Sequence, residues 1–139
     1  MEKSEQPEPD LLEKYQKQIA EFLSIDELNM KDKQMMLPGE RHYWVGRLMF
    51  HKQEILKLQR VKSQAIVKLR EKLESSSPVV LNKQTINHSV QNHEIIQKID
   101  YEIQKNELCV DFLSRVEANL RDAQYGLNNL TKIITLETT

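Results

Sequence analysis

The stretch LSRVEANLRDAQYGLNNLTKII, residues 113–134, decides the fold of this chain. Its apolar residues recur at alternating spacings of three and four over three heptads, a period typical of an α-helix that meshes with another helix along one seam. The partner helix belongs either to the same chain or to a second copy, and these alternatives are compatible. The seam residues are Leu113, Val116, Leu120, Ala123, Leu127, Leu130 and Ile134, and all but Ala123 are candidate self-association residues.

The chain upstream of this stretch favours further helix. Residues 83–136 contain no proline and one glycine, Gly126, which predicts one long helix or two helices with a break. The apolar stripe changes register near Val110–Leu113, where we expect coiled-coil packing to be locally distorted. Upstream, the stripe consists of Ile96, Ile99, Ile103 and Val110, with Asn106 at the intervening seam position.

The N-terminal part predicts shorter elements. Residues 1–10 are acidic and contain Pro7 and Pro9, so we expect a disordered lead-in. Helical spacing of apolar residues predicts a short amphipathic helix over Leu11–Leu23. Ser24 and Glu27 have the spacing of a capping box, which predicts a new turn of helix there, and Leu37-Pro38-Gly39 is expected to break it.

A basic helix is predicted over about residues 42–74, ended by Ser75-Ser76-Ser77-Pro78. Two long helices joined by a short connection form an antiparallel hairpin. The predicted fold is therefore all-α, with residues 11–139 as a single domain: an elongated antiparallel long-helix hairpin preceded by short N-terminal helices. Because a hairpin two helices thick buries little surface by itself, we also expect a homo-oligomer.

The basic helix carries the clearest functional signal. The segment from Arg41 to Lys72 holds nine basic residues and two acids, a local charge of +7 in a chain whose net charge is −1. Such segregation attracts polyanions without making the whole protein basic. The nine basic residues, taken as candidate DNA contacts, are Arg41, Arg47, Lys52, Lys57, Arg60, Lys62, Lys68, Arg70 and Lys72.

Helical geometry divides these bases into two groups. Lys52, Lys62 and Arg70 fall within the apolar stripe of the helix, so each is expected to pair with an acid or to extend to the edge of the core. The acids available on the last helix are Asp100, Glu102, Glu107, Asp111 and Glu117. The bases that point away from the stripe are Arg47, Lys57, Arg60, Lys68 and Lys72. These five bind an external anion or simply form a charged, solvated helix face.

Two aromatic residues, Tyr43 and Trp44, stand among the basic residues. Aromatic rings beside basic groups can stack on exposed bases of single-stranded DNA, so both are candidate DNA contacts. Alternatively, Trp44 anchors the start of the basic helix in the core.

Other chemistry has little support in the sequence. His42, His51, His88 and His93 show no zinc spacing, and no phosphate-binding loop or hydrolase motif is present. With three glycines to form catalytic turns, we expect no enzyme, no metal, no cofactor and no small-molecule substrate. Cys109 is the single cysteine, and no apolar run approaches the ~18 residues of a membrane span. A reducing, cytoplasmic location is expected.

Several segments together resemble the UvsY-type recombination mediators of T4-like phages. The Lys-rich run Lys52-Gln53-Glu54-Ile55-Leu56-Lys57-Leu58, followed by Lys62, Ala65-Ile66 and Lys68 to Arg70, is similar to the basic helix of the family. Shorter matches before and after it extend the resemblance over about Leu23 to Ile134; they comprise Ile25-Asp26-Glu27-Leu28, Leu37-Pro38 to Tyr43, Ile99-Asp100, Ile103-Gln104, Leu108 and Asp111-Phe112-Leu113. The chain departs from the family at Arg121–Gly126, where an Arg-Gly-aromatic stretch is expected.

The resemblance implies a non-enzymatic, all-helical, ring-like homo-oligomer in the cytoplasm of an infected bacterial cell. Such a protein binds single-stranded DNA and helps to load a RecA-like recombinase onto strands coated by a single-stranded-DNA-binding protein. The residues alone leave a second interpretation open. In that interpretation the chain is a structural coiled-coil assembly or scaffolding protein, and its basic face pairs with acidic partner helices.

Overall fold

The protein is built from α-helices throughout the part of the chain that the structure describes. A computed structural model describes residues 10–76 and 82–138, and within these ranges no strand occurs. The helices, in chain order, are α1 (Leu11–Leu23), α2 (Met30–Ser76), α3 (Lys83–Gln91) and α4 (Glu94–Thr138). The all-α prediction is confirmed, and α1 begins and ends at the predicted residues. The predicted lead-in over residues 1–10 lies, apart from Asp10, outside the described residues.

The chain divides into two compact units, to which α2 and α4 both contribute. The terminal unit comprises residues 1–47 and 111–139, and the central unit comprises residues 48–110. The division on α4 falls between Val110 and Asp111, where the apolar stripe of the sequence changes register. A single domain over residues 11–139 therefore stays a prediction.

The core of the terminal unit joins α1, α2 and α4. Tyr15 of α1 meets Trp44 of α2 edge to face, with ring centroids 5.6 Å apart. Gln34 of α2 bonds Asn128 and Thr131 of α4, whereas Arg41 bonds Glu117 and Gln124, so the two helices run antiparallel here. The buried apolar residues of this core are Tyr15, Ile19, Phe22, Leu37, Trp44, Leu113, Val116, Leu120 and Leu127.

The core of the central unit joins α2, α3 and α4. His51 of α2 bonds Asn106 of α4, and Lys62 pairs with Asp100, so the helices are antiparallel in this unit as well. The core cluster consists of Ile86 and Val90 on α3 and Ile96 on α4, and the α2 residues packed against it are Ala65, Ile66, Leu69 and Leu73. Two long helices that pack together confirm the predicted hairpin architecture in each unit.

The predicted break at Leu37-Pro38-Gly39 is wrong, because α2 begins at Met30 and runs through Pro38 without interruption. Proline in a helix interior removes one hydrogen bond and crowds the preceding turn, at a cost of about 3 kcal/mol. Leu37 and Trp44, two turns apart on one face, are both fully buried. Burying side chains of this size contributes roughly 1.5–3 kcal/mol each, so tertiary packing outweighs the proline. The basic segment is the later part of this longer helix.

The capping box predicted at Ser24 and Glu27 lies two residues further on. Ser24 follows the end of α1, and its carbonyl accepts a hydrogen bond from the Asn29 side chain. The Asp26 carboxylate accepts from the backbone N–H groups of Leu28 and Asn29, and the Asn29 side chain accepts in return from the Asp26 N–H. A carboxylate bonds these N–H groups more strongly than a hydroxyl does, so Asp26 forms the cap.

Residues 83–138 form two helices, the second of the alternatives open from the sequence. Asn92 ends α3, and its backbone N–H and side-chain amide both donate to the His88 carbonyl. The Nδ1 atom of His93 accepts from the Ile95 N–H at the start of α4. Because side chains satisfy both helix ends locally, this break needs neither glycine nor proline.

The seam of α4 is largely covered within one chain. Leu113, Val116, Leu120 and Leu127 are at most 4% exposed, whereas Leu130 and Ile134 are 48% and 45% exposed. Leu113, Val116, Leu120 and Leu127 are therefore covered by residues of the same chain, as the intrachain alternative predicts. Self-association through the seam stays a prediction, with Leu130 and Ile134 as its exposed members.

Candidate nucleic-acid interface

Positive charge is concentrated in the central unit. Residues 48–110 include ten Lys and Arg residues against seven Asp and Glu residues, a net charge of +3. Since the whole chain carries −1, the remaining residues carry −4. An anionic ligand is therefore drawn to the central unit in preference to the terminal unit.

Four of the bases predicted to point outward lie together on α2 in this unit. Lys57, Arg60, Lys68 and Lys72 are all exposed, and we call them the basic face. At 100° per residue they fall within about 120° of one another around the helix, and the 1.5 Å rise spreads them over about 22 Å of its length. They form a row of cations that can contact anionic groups, and one exposed acid, Glu71, falls within the same arc.

The packing of the central unit holds the basic face outward. Ala65, Ile66, Leu69 and Leu73 attach the other side of α2 to the core cluster on α3 and α4. Lys57 is paired with Glu54 at 3.3 Å, yet its side chain remains 73% exposed. An exposed pair of this kind contributes about 0–1 kcal/mol, so a phosphate can readily replace the carboxylate.

The bases inside the apolar stripe behave differently. Lys62 pairs with Asp100 at 2.7 Å, as predicted for one of the acids on α4. Arg70 donates to the Asn87 side chain at 2.8 Å and, like Lys52, is exposed. Glu102 pairs with Lys105 within α4. Lys62 thus has a structural role, whereas Lys52 and Arg70 lie at the margin of the stripe.

The predicted contacts of the terminal unit are mostly committed to the fold. Arg41 is half-buried, donating to Glu117 at 3.0 Å and to Gln124 at 2.8 Å. Its Nε atom is buried and has no hydrogen-bond partner among the described residues. The side chain therefore braces α2 against α4 inside this unit.

Trp44 is fully buried and its Nε1–H donates to Glu40 at 3.0 Å, so its ring is not exposed for stacking on a base in this structure. This burial favours the alternative that Trp44 anchors the helix in the core. Tyr43 is half-buried, edge to face with Trp44, and the Arg47 guanidinium lies 5.2 Å from the centre of its ring. Arg47 itself is exposed.

The sequence did not single out the aliphatic residues that lie among the bases. An open depression of about 590 Å³ is lined by Gln53, Leu56, Lys57, Arg60 and Val61. Leu56 and Val61 are 65% and 49% exposed there. The signal that could have found them is their helical position, one turn from Arg60 and Lys57 respectively.

Two other kinds of site lack support in the described ranges, residues 10–76 and 82–138. No cluster of three or more His, Cys, Asp or Glu side chains is placed to hold a metal ion there. None of the four helices combines the length and hydrophobicity needed to cross a membrane.

Solved structures with this fold are known. Two crystal structures of the bacteriophage T4 recombination mediator protein UvsY, in lattice types II and IV, match this chain with TM-scores of 0.76 and 0.74. Both are 17% identical to it, and the matches cover 92% and 91% of this chain and 98% of the T4 chain. No protein-family model and no curated protein sequence matches. The predicted resemblance is thus confirmed as a likeness of fold over nearly the whole chain.

Proposed function

We propose that this protein is a phage recombination mediator. It binds single-stranded DNA and helps to load a RecA-like recombinase onto strands coated by a single-stranded-DNA-binding protein, in the cytoplasm of an infected bacterial cell. The observation that carries the proposal is the fold shared with the T4 recombination mediator UvsY over 92% of this chain. The exposed basic face on α2 supports the DNA-binding part.

The chemistry of the basic face suits a phosphate backbone. Its four side chains are exposed and follow one side of a rigid helix, so they can contact phosphates without first unfolding or breaking a buried ion pair. Such contacts carry no sequence information, which suits a protein that must act on any strand. In this proposal Lys52 and Arg70 supplement the basic face, and Arg47 is a separate candidate contact in the terminal unit. Arg41 and Lys62 remain structural.

A binding titration against salt tests the DNA contact. If each of the four bases neutralises one phosphate, log affinity falls with log salt at a slope of about −3 per chain. Lys57→Ala combined with Arg60→Ala is expected to halve that slope to about −1.5 and to weaken binding at low salt. Fluorescence anisotropy of a labelled oligonucleotide measures both quantities.

A matched control is available for this double variant. Lys98 and Arg115 are exposed on α4, each paired with an acid one turn before it, and their side chains are 74% and 77% exposed. Lys98→Ala with Arg115→Ala removes one lysine and one arginine, as the test variant does. The control is expected to keep the wild-type slope, and an equal loss in both variants would mean that net charge alone governs binding.

The mediator step needs a separate assay. On DNA precoated with single-stranded-DNA-binding protein, the wild type is expected to shorten the lag before a RecA-like recombinase hydrolyses ATP, whereas Lys57→Ala/Arg60→Ala is expected to leave the lag in place. A wild-type protein that binds no single-stranded DNA at low salt would favour the scaffolding interpretation, in which acidic partner helices occupy the basic face.

A further inference from the structure

Aliphatic side chains are interleaved with the cations of the basic face. Val61 follows Lys57 by one turn, and Leu56 precedes Arg60 by one turn, so each aliphatic group lies beside the stem of a basic side chain. Leu56, Val61 and Val67 are 65%, 49% and 55% exposed. Leu56 and Val61 line the same depression as Lys57 and Arg60.

Helix stability does not account for Val61 and Val67. A β-branched valine is a poorer helix former than the lysine, glutamate or glutamine that usually fills an exposed helix position. The core does not account for them either, because Ala65, Ile66, Leu69 and Leu73 provide the packing against α3 and α4. An external ligand that is both anionic and apolar would use the whole surface.

The order of aliphatic and basic residues along the helix distinguishes between two ligands that are both anionic and apolar, a membrane surface and single-stranded nucleic acid. A helix that lies on a membrane separates a continuous apolar face from a polar face. Here the aliphatic and basic residues alternate within one face whose other side is packed in the core. Single-stranded nucleic acid alternates in the same way, since it presents phosphates and unstacked base faces together.

We propose, on the basis of the proposed function, that Leu56 and Val61 make the basic face selective for single-stranded over double-stranded DNA. Bases of the strand rest against the two aliphatic side chains while Lys57 and Arg60 hold the adjacent phosphates. In a duplex the base faces are stacked inside and cannot reach Leu56 or Val61.

Charge alone predicts the opposite preference. Duplex DNA carries one phosphate per roughly 1.7 Å of axis, and each neutralised phosphate adds more to the salt slope than in a single strand, about 0.9 against 0.7. A purely electrostatic face therefore binds duplex at least as well. A preference for the single strand requires contacts to the bases themselves.

The test variant is Leu56→Ala with Val61→Ala, which keeps every charge and substitutes a better helix former. The matched control is Ile95→Ala with Leu108→Ala, since these residues are 50% and 59% exposed on α4 of the same unit. Three probes of equal length are titrated by anisotropy: a single strand, an abasic strand with the same backbone, and a blunt duplex. Vesicles of phosphatidylserine form a fourth arm.

The wild type and the control are expected to bind the normal strand about tenfold more tightly than the abasic strand, the effect of covering a few aliphatic carbons. In the test variant this ratio falls to about twofold or less, while abasic binding and the salt slope stay unchanged. A test variant that keeps the full ratio overturns the inference but leaves the proposed function standing. A variant that loses only vesicle binding also overturns it, and a wild type that binds none of the DNA probes contradicts the proposed function as well.

Discussion

Trp44 offers a direct test of the distinction between core and interface, because it is the only tryptophan of the chain. The ring is fully buried, edge to face with Tyr15 and Tyr43, and its Nε1–H donates to Glu40. We expect Trp44→Phe to weaken the terminal unit and to leave DNA binding unchanged. Phenylalanine retains an aromatic ring for Tyr15 but loses the hydrogen bond and part of the indole.

The expected losses of stability and of DNA affinity separate a core role of Trp44 from a base-stacking role. Losing the hydrogen bond costs about 0.5–1.5 kcal/mol, and the space left by the smaller ring brings the expected destabilisation to roughly 1–3 kcal/mol. If Trp44 instead stacked on a base, its removal would lower DNA affinity by about 1–3 kcal/mol, or roughly 5–150-fold. Urea unfolding measures the first quantity and oligonucleotide titration the second.

The wild-type fluorescence gives an independent measurement. A buried indole emits at short wavelength and is shielded from acrylamide, and saturating single-stranded DNA is expected to leave both properties unchanged. Strong quenching by DNA, together with a tenfold or greater affinity loss in folded Trp44→Phe, would refute the placement of Trp44 in the core. Circular dichroism confirms that the variant is folded before the comparison is made.

Three further predictions concern the fold. Pro38→Ala restores a backbone hydrogen bond inside α2 and is expected to raise the free energy of unfolding by up to about 3 kcal/mol; a loss of stability in urea would show that α2 needs the proline. Asp26→Ala removes the acceptor for two backbone N–H groups and is expected to lower the free energy of unfolding by about 1 kcal/mol. Ser24→Ala is expected to change it by no more than about 0.5 kcal/mol. A larger loss in Ser24→Ala than in Asp26→Ala would show that Ser24 caps the helix. Leu120→Asp places a charge in a fully buried position and is expected to unfold the terminal unit, which circular dichroism measures. Leu130 is 48% exposed, so Leu130→Asp is expected to remain helical and to lower the mass measured by light scattering. A Leu130→Asp variant with unchanged mass would remove Leu130 from any self-association surface.

The sequence predicted the elements whose signals are periodic and local. The bounds of α1 and the seam of α4 follow from apolar spacing, which any helix with one buried face must show. Composition alone does not locate the break between α3 and α4, because Asn92 and His93 satisfy the helix ends through their side chains, without proline or glycine. The preference of proline for helix ends predicted that a helix stops at Pro38. The helix continues instead, because burial of Leu37 and Trp44 stabilises it more than the proline destabilises it.

At the candidate site, too, patterns within one helix do not predict contacts with distant parts of the chain. Helical angles correctly placed Lys57, Arg60, Lys68 and Lys72 outside and Lys62 against an acid of α4, but they also assigned Lys52 and Arg70 to the apolar stripe, and both are exposed. Arg41 could not be assigned in this way, because its partners Glu117 and Gln124 lie 76 and 83 residues away. Sequence analysis missed Leu56 and Val61 because single exposed aliphatic residues do not belong to the apolar stripe of a helix. Only their position beside Lys57 and Arg60, in the same depression, indicates a binding surface.

The number of cations per chain bears on the predicted self-association. Four bases on one helix give a single chain a weak, salt-sensitive hold on DNA, since each phosphate contact is screened in solution. Several copies closed around a common axis would place several basic faces on one strand, and each further contact would then form at high effective concentration. Weak individual contacts also suit a mediator, because a recombinase can displace them one at a time as it takes over the strand. In the predicted homo-oligomer, high affinity would therefore come from the number of copies, and transfer of the strand would depend on the weakness of each contact.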